Sequence, residues 1–170
     1  MKLRKLKISD AEGMLEWMHD KELCLHMQAD FASKQLKDCI AFINSAESNE
    51  EFYHRAIVDD EDRYMGTVSL KHISKELRTA EFGIVVRRCA CGKGYSIFGM
   101  REILKIAFRD LHLEQVIWCV SRMNVRANKF YQKNNFKLCN SVPDEMKELY
   151  NGVPDLLWYG VNKNEIDFFD

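Results

Sequence analysis

The residues whose type and spacing most clearly indicate a binding function are Gly92 and Gly94, which stand directly before a long predicted helix. Glycine adopts positive φ without strain and lets the backbone approach a ligand closely. The free N–H groups and the dipole of a helix N-terminus attract phosphate. Segment 85–95 therefore indicates a pyrophosphate-binding loop, with an ordinary loop that starts a helix as an equal alternative. The spacing matches neither a Walker loop nor a dinucleotide-binding fingerprint.

Other residue types that often carry chemistry show no such arrangement. The five histidines lack metal-ligand spacing and the acidic run 59–62 lacks the spacing of a calcium loop, so we expect no metal. The six cysteines form neither a disulfide framework nor a zinc pattern, because their one close pair, Cys89 and Cys91, has no second pair. We expect reduced thiols and a cytoplasmic location.

The elements that must position the glycine loop follow from apolar periodicity. Their order predicts an α+β domain with a mostly antiparallel sheet and a strand–helix–strand crossover between residues 80 and 120. A capping box from Ser9 to Glu12 predicts the start of the first helix, and Ser33 is the predicted cap of the second. Residues 20–32 are predicted to be irregular. The predicted strands are 2–6, 52–58, 64–70, 80–86, 115–120, 136–140 and 156–161, and the predicted helices are 9–19, 33–43, 94–111 and 125–133.

Length and composition indicate one globular domain over residues 1–170. The 170 residues are 46% apolar and 30% charged, and the net charge is -1. This balance gives no reason to expect nucleic acid or a membrane as a partner. No apolar run approaches the roughly 20 residues of a membrane span, and the first ten residues do not read as a signal peptide.

A second informative segment, 124–136, reads Asn-Val-Arg-Ala-Asn-Lys-Phe-Tyr-Gln-Lys-Asn-Asn-Phe and by itself indicates only an amphipathic helix. Together with the glycine loop, it resembles the GCN5-related N-acetyltransferase (GNAT) family. That family carries Arg/Gln-x-x-Gly-x-Gly/Ala at its pyrophosphate loop and, further along, Asn-x-x-Ala-x-x-x-Tyr-x-x-x-Gly-Phe. The resemblance covers nearly the whole chain, and segment 151–159 resembles the subgroup of spermidine and ribosomal-protein N-terminal acetyltransferases. It implies a three-layer fold with a sheet of about seven strands and about four helices.

Two positions depart from the family pattern. Cys89 stands where Arg or Gln is usual, with Arg87 and Arg88 beside it. Because backbone N–H groups make most of the phosphate contacts in such loops, we expect little loss of cofactor binding. Asn135 stands where glycine is usual before Phe136. Asparagine tolerates the left-handed conformation better than other non-glycine residues, so we expect the turn to persist.

The resemblance assigns catalytic roles to two residues. Tyr131 matches the tyrosine that protonates the departing thiolate, and Glu81 lies on the strand facing the acceptor, where it takes the amine's proton or binds its charge. The alternatives are a core aromatic for Tyr131 and a solvated carboxylate for Glu81. The resemblance also implies contacts with acetyl-CoA from the strand residues Ile84, Val85 and Val86, from the loop residues Cys91, Gly92, Lys93, Gly94, Tyr95 and Ser96, and from Asn124 and Lys133.

The implied activity is transfer of an acetyl group from acetyl-CoA to a primary amine of a small molecule, a polyamine or an amino sugar, directly in a ternary complex. A protein N-terminal acetyltransferase and a non-catalytic acetyl-CoA-binding module are the alternatives, and a homodimer is left open. We expect the acceptor groove in segments 20–32 and 140–156, where an excess of acidic residues favours a cationic acceptor unless they are ordinary surface carboxylates. The acidic residues are Asp20, Glu22, Asp30, Asp144, Glu145, Glu148 and Asp155, against Lys21 and Lys147.

Overall fold

A seven-stranded sheet organises residues 1–165, which are the residues that the computed structural model describes. Its spatial order is β1-β2-β3-β4-β5-β7-β6. Every neighbouring pair is antiparallel except β4 and β5, which run parallel because α4 connects them in a crossover. The predicted α+β class and the crossover are confirmed. The strands are β1 Lys2–Arg4, β2 Tyr53–Val58, β3 Tyr64–Ser74, β4 Thr79–Val86, β5 Gln115–Ser121, β6 Lys137–Leu138 and β7 Leu156–Asn162.

Helices cover both faces of the sheet and complete three layers. One core cluster joins Met14 and Trp17 of α1 to Cys39 and Ile43 of α3, on one face. A larger cluster joins α4 and α5 to the other face, around the buried Trp118. The α-helices of the described residues are α1 Ala11–Met18, α2 Lys21–Cys24, α3 Leu36–Ser45, α4 Tyr95–Lys105, α5 Val125–Lys133 and α6 Asp144–Glu148, and Ile106–Asp110 extends α4 in π-helical form.

The first two predicted helix caps are wrong. At the start of α1, the carboxylate of Asp10 accepts a hydrogen bond from the backbone N–H of Lys7 at 2.8 Å and binds the guanidinium of Arg4. At α3, Gln35 is the N-cap, and its N–H donates to Asp38 at 2.8 Å. Both helices therefore use an acid in the first turn. An ion pair with Arg4 of β1 engages Asp10 in the first case, and Ser33 is instead held in a turn by Asp30.

Two short helices and the last strands also differ from the prediction. The helices α2 and α6 contain four and five residues, too few for a periodic pattern to be visible. Strand β6 has two residues rather than the predicted five, and β7 inserts between β5 and β6. No helix of residues 1–165 is both long enough and apolar enough to span a membrane.

Candidate active site

A split in the sheet lies between the parallel strands β4 and β5. Their register pairs Thr79, Ala80 and Glu81 with 115–117, and no pairing continues beyond these residues. Both strands nevertheless extend further, β4 to Val86 and β5 to Ser121. The strands therefore diverge at their carboxyl ends, which is where parallel sheets usually bind ligands. Residues Ile84, Val85 and Val86, predicted to contact the cofactor, form one edge of this split.

The glycine loop follows β4 and begins α4. Gly92 and Gly94 have φ values of 76° and 87°, a conformation that costs other residues strain. Gly94 is the N-cap of α4, and no side chain caps this helix. The first N–H groups of α4, which include those of Tyr95 and Ser96, are thus available to an anion beside the split. These features fit a pyrophosphate, and Lys93 lies exposed in the same loop.

The neighbouring arginines are engaged within the protein. The Arg88 guanidinium donates to both carboxylate oxygens of Asp20, at 2.6 and 2.5 Å, and lies 2.8 Å from Glu22. The hydrogen bond from Arg88 lowers the pKa of Asp20 to about 2. Arg87 pairs with Glu16 and donates to the carbonyl of Tyr64. The predicted acidic groove is therefore partly neutralised, because Arg88, from a segment that is distant in sequence, brings one positive charge to two of its carboxylates.

Tyr131 lies on the side of the sheet covered by α4 and α5. Its side chain is 8% exposed, and its ring contacts those of Trp118 and Tyr159 at 5.3 and 4.9 Å between centroids. Burial raises the pKa of Tyr131, so the phenol stays protonated at neutral pH. Within residues 1–165 no side chain forms a hydrogen bond to its hydroxyl. The hydroxyl is thus a neutral donor whose proton is not already engaged by another side chain.

Glu81 is buried, so the alternative of a solvated carboxylate is wrong. The residue is 3% exposed, and its Oε1 accepts from Lys71 Nζ at 2.5 Å and from the hydroxyl of Tyr150. Its Oε2 is buried and has no hydrogen-bond partner in the described part of the chain. The Nε2 atom of His72 lies 3.7 Å from Oε2. One oxygen of Glu81 is therefore fixed, while the other is free to accept.

Glu81 and Tyr131 lie on opposite faces of the sheet. Successive side chains of a strand alternate between the two faces. The ring of Phe82, adjacent to Glu81, contacts Trp118 at 5.3 Å, and Trp118 contacts Tyr131. Glu81 must then point to the face covered by α1 and α3. The carboxylate of Glu81 on one face and the phenol of Tyr131 on the other flank the position where β4 and β5 separate.

Of the remaining residues predicted to contact acetyl-CoA, some have side chains engaged within the protein and one is exposed. The side chain of Asn124 accepts from Ala127 N–H at 3.1 Å and thereby caps α5, which engages its oxygen. Lys133 is exposed at the end of α5, and the thiol of Cys91 donates to the carbonyl of Arg87 at 3.5 Å. Asn135 has φ 61°, so asparagine does adopt the left-handed turn expected of it.

Three residues near the site were not predicted. Asn128 is buried, donates to the carbonyls of Ser121 and Asn124, and accepts from Tyr159, so it anchors α5 to the end of β5. Its position on the apolar side of a predicted helix could have indicated that this asparagine is buried and hydrogen-bonded. Lys71 and Tyr150 reach Glu81 from β3 and from the segment after α6. No spacing in the sequence indicates either contact.

Comparisons with known proteins agree with this architecture. The family model described as acetyltransferase (GNAT) domain matches residues 1–137. The uncharacterised N-acetyltransferase p20 of Bacillus licheniformis is 27% identical over 139 residues, covering 79% of this chain and 78% of that protein. Acetyltransferase PseH of Campylobacter jejuni is 22% identical over 147 residues, covering 86% and 87%.

Among solved structures, a similar one is the spermidine N-acetyltransferase of Vibrio cholerae in complex with CoA and spermine. Its TM-score is 0.80 at 17% identity, with 97% of this chain and 96% of that chain covered. A structure titled probable acetyltransferase has a TM-score of 0.77 at 22% identity, with 96% and 93% covered. At these identities, the likeness establishes the fold.

Proposed function

This chain belongs to the GNAT acetyltransferase family and is an acetyl-CoA-dependent N-acetyltransferase, and we propose that it acetylates the primary amine of a small molecule by direct transfer. The observation that carries the proposal is the placement of Glu81 and Tyr131 on opposite faces of the split between β4 and β5. Direct transfer needs one group to remove a proton from the amine and another to protonate the leaving sulfur, and this placement supplies both.

The residues around the split can hold the co-substrate. Gly92 and Gly94 present the uncapped N-terminus of α4 to the pyrophosphate, and backbone groups of 84–86 are unpaired towards β5. Acetyl-CoA supplies the acetyl thioester when bound. The same backbone N–H groups can stabilise negative charge on the carbonyl oxygen, because preorganised donors in a water-poor site do so most effectively.

Two proton transfers fall to Glu81 and Tyr131. The unpartnered Oε2 of Glu81 accepts a proton from the amine, directly or through water, as the nitrogen bonds to the acetyl carbon. Tyr131 donates its proton to the sulfur as the carbon–sulfur bond breaks. The sulfur takes the phenol's proton as the carbon–sulfur bond breaks, which leaves a phenolate that regains a proton from the one released by the amine. Burial disfavours a phenolate, so the proton must move as the sulfur departs rather than before it.

A covalent acetyl-enzyme is disfavoured by the state of the neighbouring thiol. Cys119 lies near Glu81 and Tyr150, and burial raises its pKa to about 11, with Glu81 as the next cause. A half-buried thiol with a raised pKa is a poor nucleophile, because the thiolate is the reactive form. This supports a ternary complex in which the amine itself attacks.

A steady-state assay of free thiol against time tests the proposal. We expect thiol release only when both acetyl-CoA and an amine from a library of polyamines, amino sugars and peptides are present. Varying both substrates should give intersecting double-reciprocal lines. Coenzyme A binding with no turnover on any amine would instead favour the non-catalytic module, and parallel lines would favour a covalent intermediate.

A further inference from the structure

Lys71 lies on the same face of the sheet as Glu81, where we propose that the acceptor amine binds. It pairs in register with Glu81, and its Nζ atom donates to Oε1 at 2.5 Å. A Cβ built on Gly83 would lie 3.3 Å from Cε of Lys71, so the absent side chain at Gly83 leaves the room that this lysine occupies. The Lys71 side chain is 32% exposed, compared with 4% for Glu81. An ammonium group therefore lies beside the buried carboxylate and is more accessible to solvent than the carboxylate is.

Glu81 has only one oxygen left for an acceptor. Lys71 and Tyr150 both bind Oε1, whereas Oε2 is buried without a hydrogen-bond partner in the described residues. An amine that reaches Oε2 must approach the same carboxylate that already carries the Lys71 ammonium. The pair of Glu81 and Lys71 has no net charge, so it can accept a hydrogen bond but does not attract a polycation from a distance.

The ion pairs in segments 20–32 and 140–156 also reduce the negative charge available to a polycation. Of the acidic residues in the predicted groove, Asp20 and Glu22 share the one positive charge of Arg88, at 2.5 and 2.8 Å. Lys147 lies 2.8 Å from Asp144 in α6. The two segments that flank the acceptor side thus present fewer free carboxylates than their composition indicates.

We propose that the acceptor of this enzyme is a small amine with a single positive charge, such as an amino sugar, and that Lys71 is the specificity-determining residue that rejects polyamines. The proposal rests on the proposed function and names its substrate class. A polyamine would have to place several ammonium groups beside the Lys71 ammonium. Like charges brought together in this way lower the affinity for the wrong ligand, and specificity commonly depends on such a repulsive element.

The test compares spermidine with glucosamine as acceptors for the wild-type protein and for variants at Lys71. We expect the wild type to prefer glucosamine at least tenfold in kcat/KM. Lys71→Met and Lys71→Gln should each shrink this preference at least tenfold, mainly by lowering KM for spermidine. Lys71→Arg keeps the charge and should keep the preference. Lys75→Met is the matched control, because Lys75 is 79% exposed, pairs with Glu50 and lies away from Glu81.

A binding measurement keeps the proposal testable if neither amine turns over. Titration of spermine into the coenzyme A complex should give at least tenfold tighter binding to Lys71→Met than to the wild type. Preference of the wild type for spermidine, or equal spermine affinity in both proteins, would overturn the role of Lys71. Coenzyme A binding with no thiol release on any amine would instead count against the proposed function alone.

Discussion

Tyr131→Phe should separate catalysis from stability. The substitution keeps the ring that packs on Trp118 and Tyr159, and the lost hydroxyl has no side-chain hydrogen bond within residues 1–165. A volume-conserving change in a core usually costs less than about 1.5 kcal/mol. We therefore expect a folded variant with nearly unchanged coenzyme A affinity, because the substitution on α5 leaves the glycine loop before α4 intact.

The effect on turnover should be much larger. Loss of a general acid typically lowers the rate by about 10²–10⁴, which corresponds to roughly 2.7–5.4 kcal/mol of barrier at 1.36 kcal/mol per tenfold change. Burial raises the pKa of Tyr131, so its phenol remains protonated across the pH range of an assay. The loss in the Phe variant should accordingly be the same at pH 6 and at pH 8.

Tyr159→Phe provides the matched control in the same aromatic cluster. Its hydroxyl donates to Asn128 Oδ1 at 3.0 Å, so the substitution leaves a buried acceptor without its partner. Such a loss costs about 1–3 kcal/mol of stability. We expect this variant to unfold at lower denaturant concentration and yet retain the rate of the chemical step.

Single-turnover thiol release, with enzyme in excess over acetyl-CoA, measures the chemical step in both variants, and urea unfolding measures their stability. The reasoning would be refuted if Tyr131→Phe released thiol at the wild-type rate under conditions where chemistry limits. It would also be refuted if Tyr159→Phe lost as much rate as Tyr131→Phe, since the effect would then reflect the packing of the cluster.

Three further predictions concern the loop, the base and a buried histidine. Gly94→Ala should weaken coenzyme A binding measured by calorimetry, because φ 87° costs alanine about 1–2 kcal/mol, whereas Gly152→Ala, at φ 83° outside the loop, should reduce stability alone. Glu81→Gln should lower turnover strongly at pH 7 and recover as pH rises and the amine deprotonates unaided; a small loss independent of pH would remove Glu81 from catalysis. Burial lowers the pKa of His54 to about 4, below the unfolded value of about 6.5, so the unfolded chain binds the proton first as pH falls. His54 should therefore cost about 2 kcal/mol of stability between pH 7 and pH 5, and His54→Gln should flatten that dependence in urea unfolding.

Much of the fold could be predicted because its signals are local. The change from helical to alternating periodicity marks β2, β3 and β4, and the short apolar run 115–120 marks β5. Gly92 and Gly94 are interpretable in the same way, since the tolerance of positive φ without strain is a property of glycine itself. The predicted helix caps are wrong because several candidate residues stand near each helix start, and an ion pair with Arg4 of β1, which the capping pattern does not show, engages Asp10.

In the candidate site, too, local features could be predicted from the sequence and contacts between distant segments could not. By itself, the sequence determined the order of elements, the glycine loop and the family, and through the family it indicated Glu81 and Tyr131, because all of these depend on residue type and spacing along the chain. Only the tertiary structure decided that β4 and β5 separate, that Lys71 and Tyr150 share one oxygen of Glu81, and that its other oxygen stays free. The physical reason is that a side chain's charge and hydrogen bonds depend on partners brought from other strands and loops. Those pairings exist only once the sheet has formed.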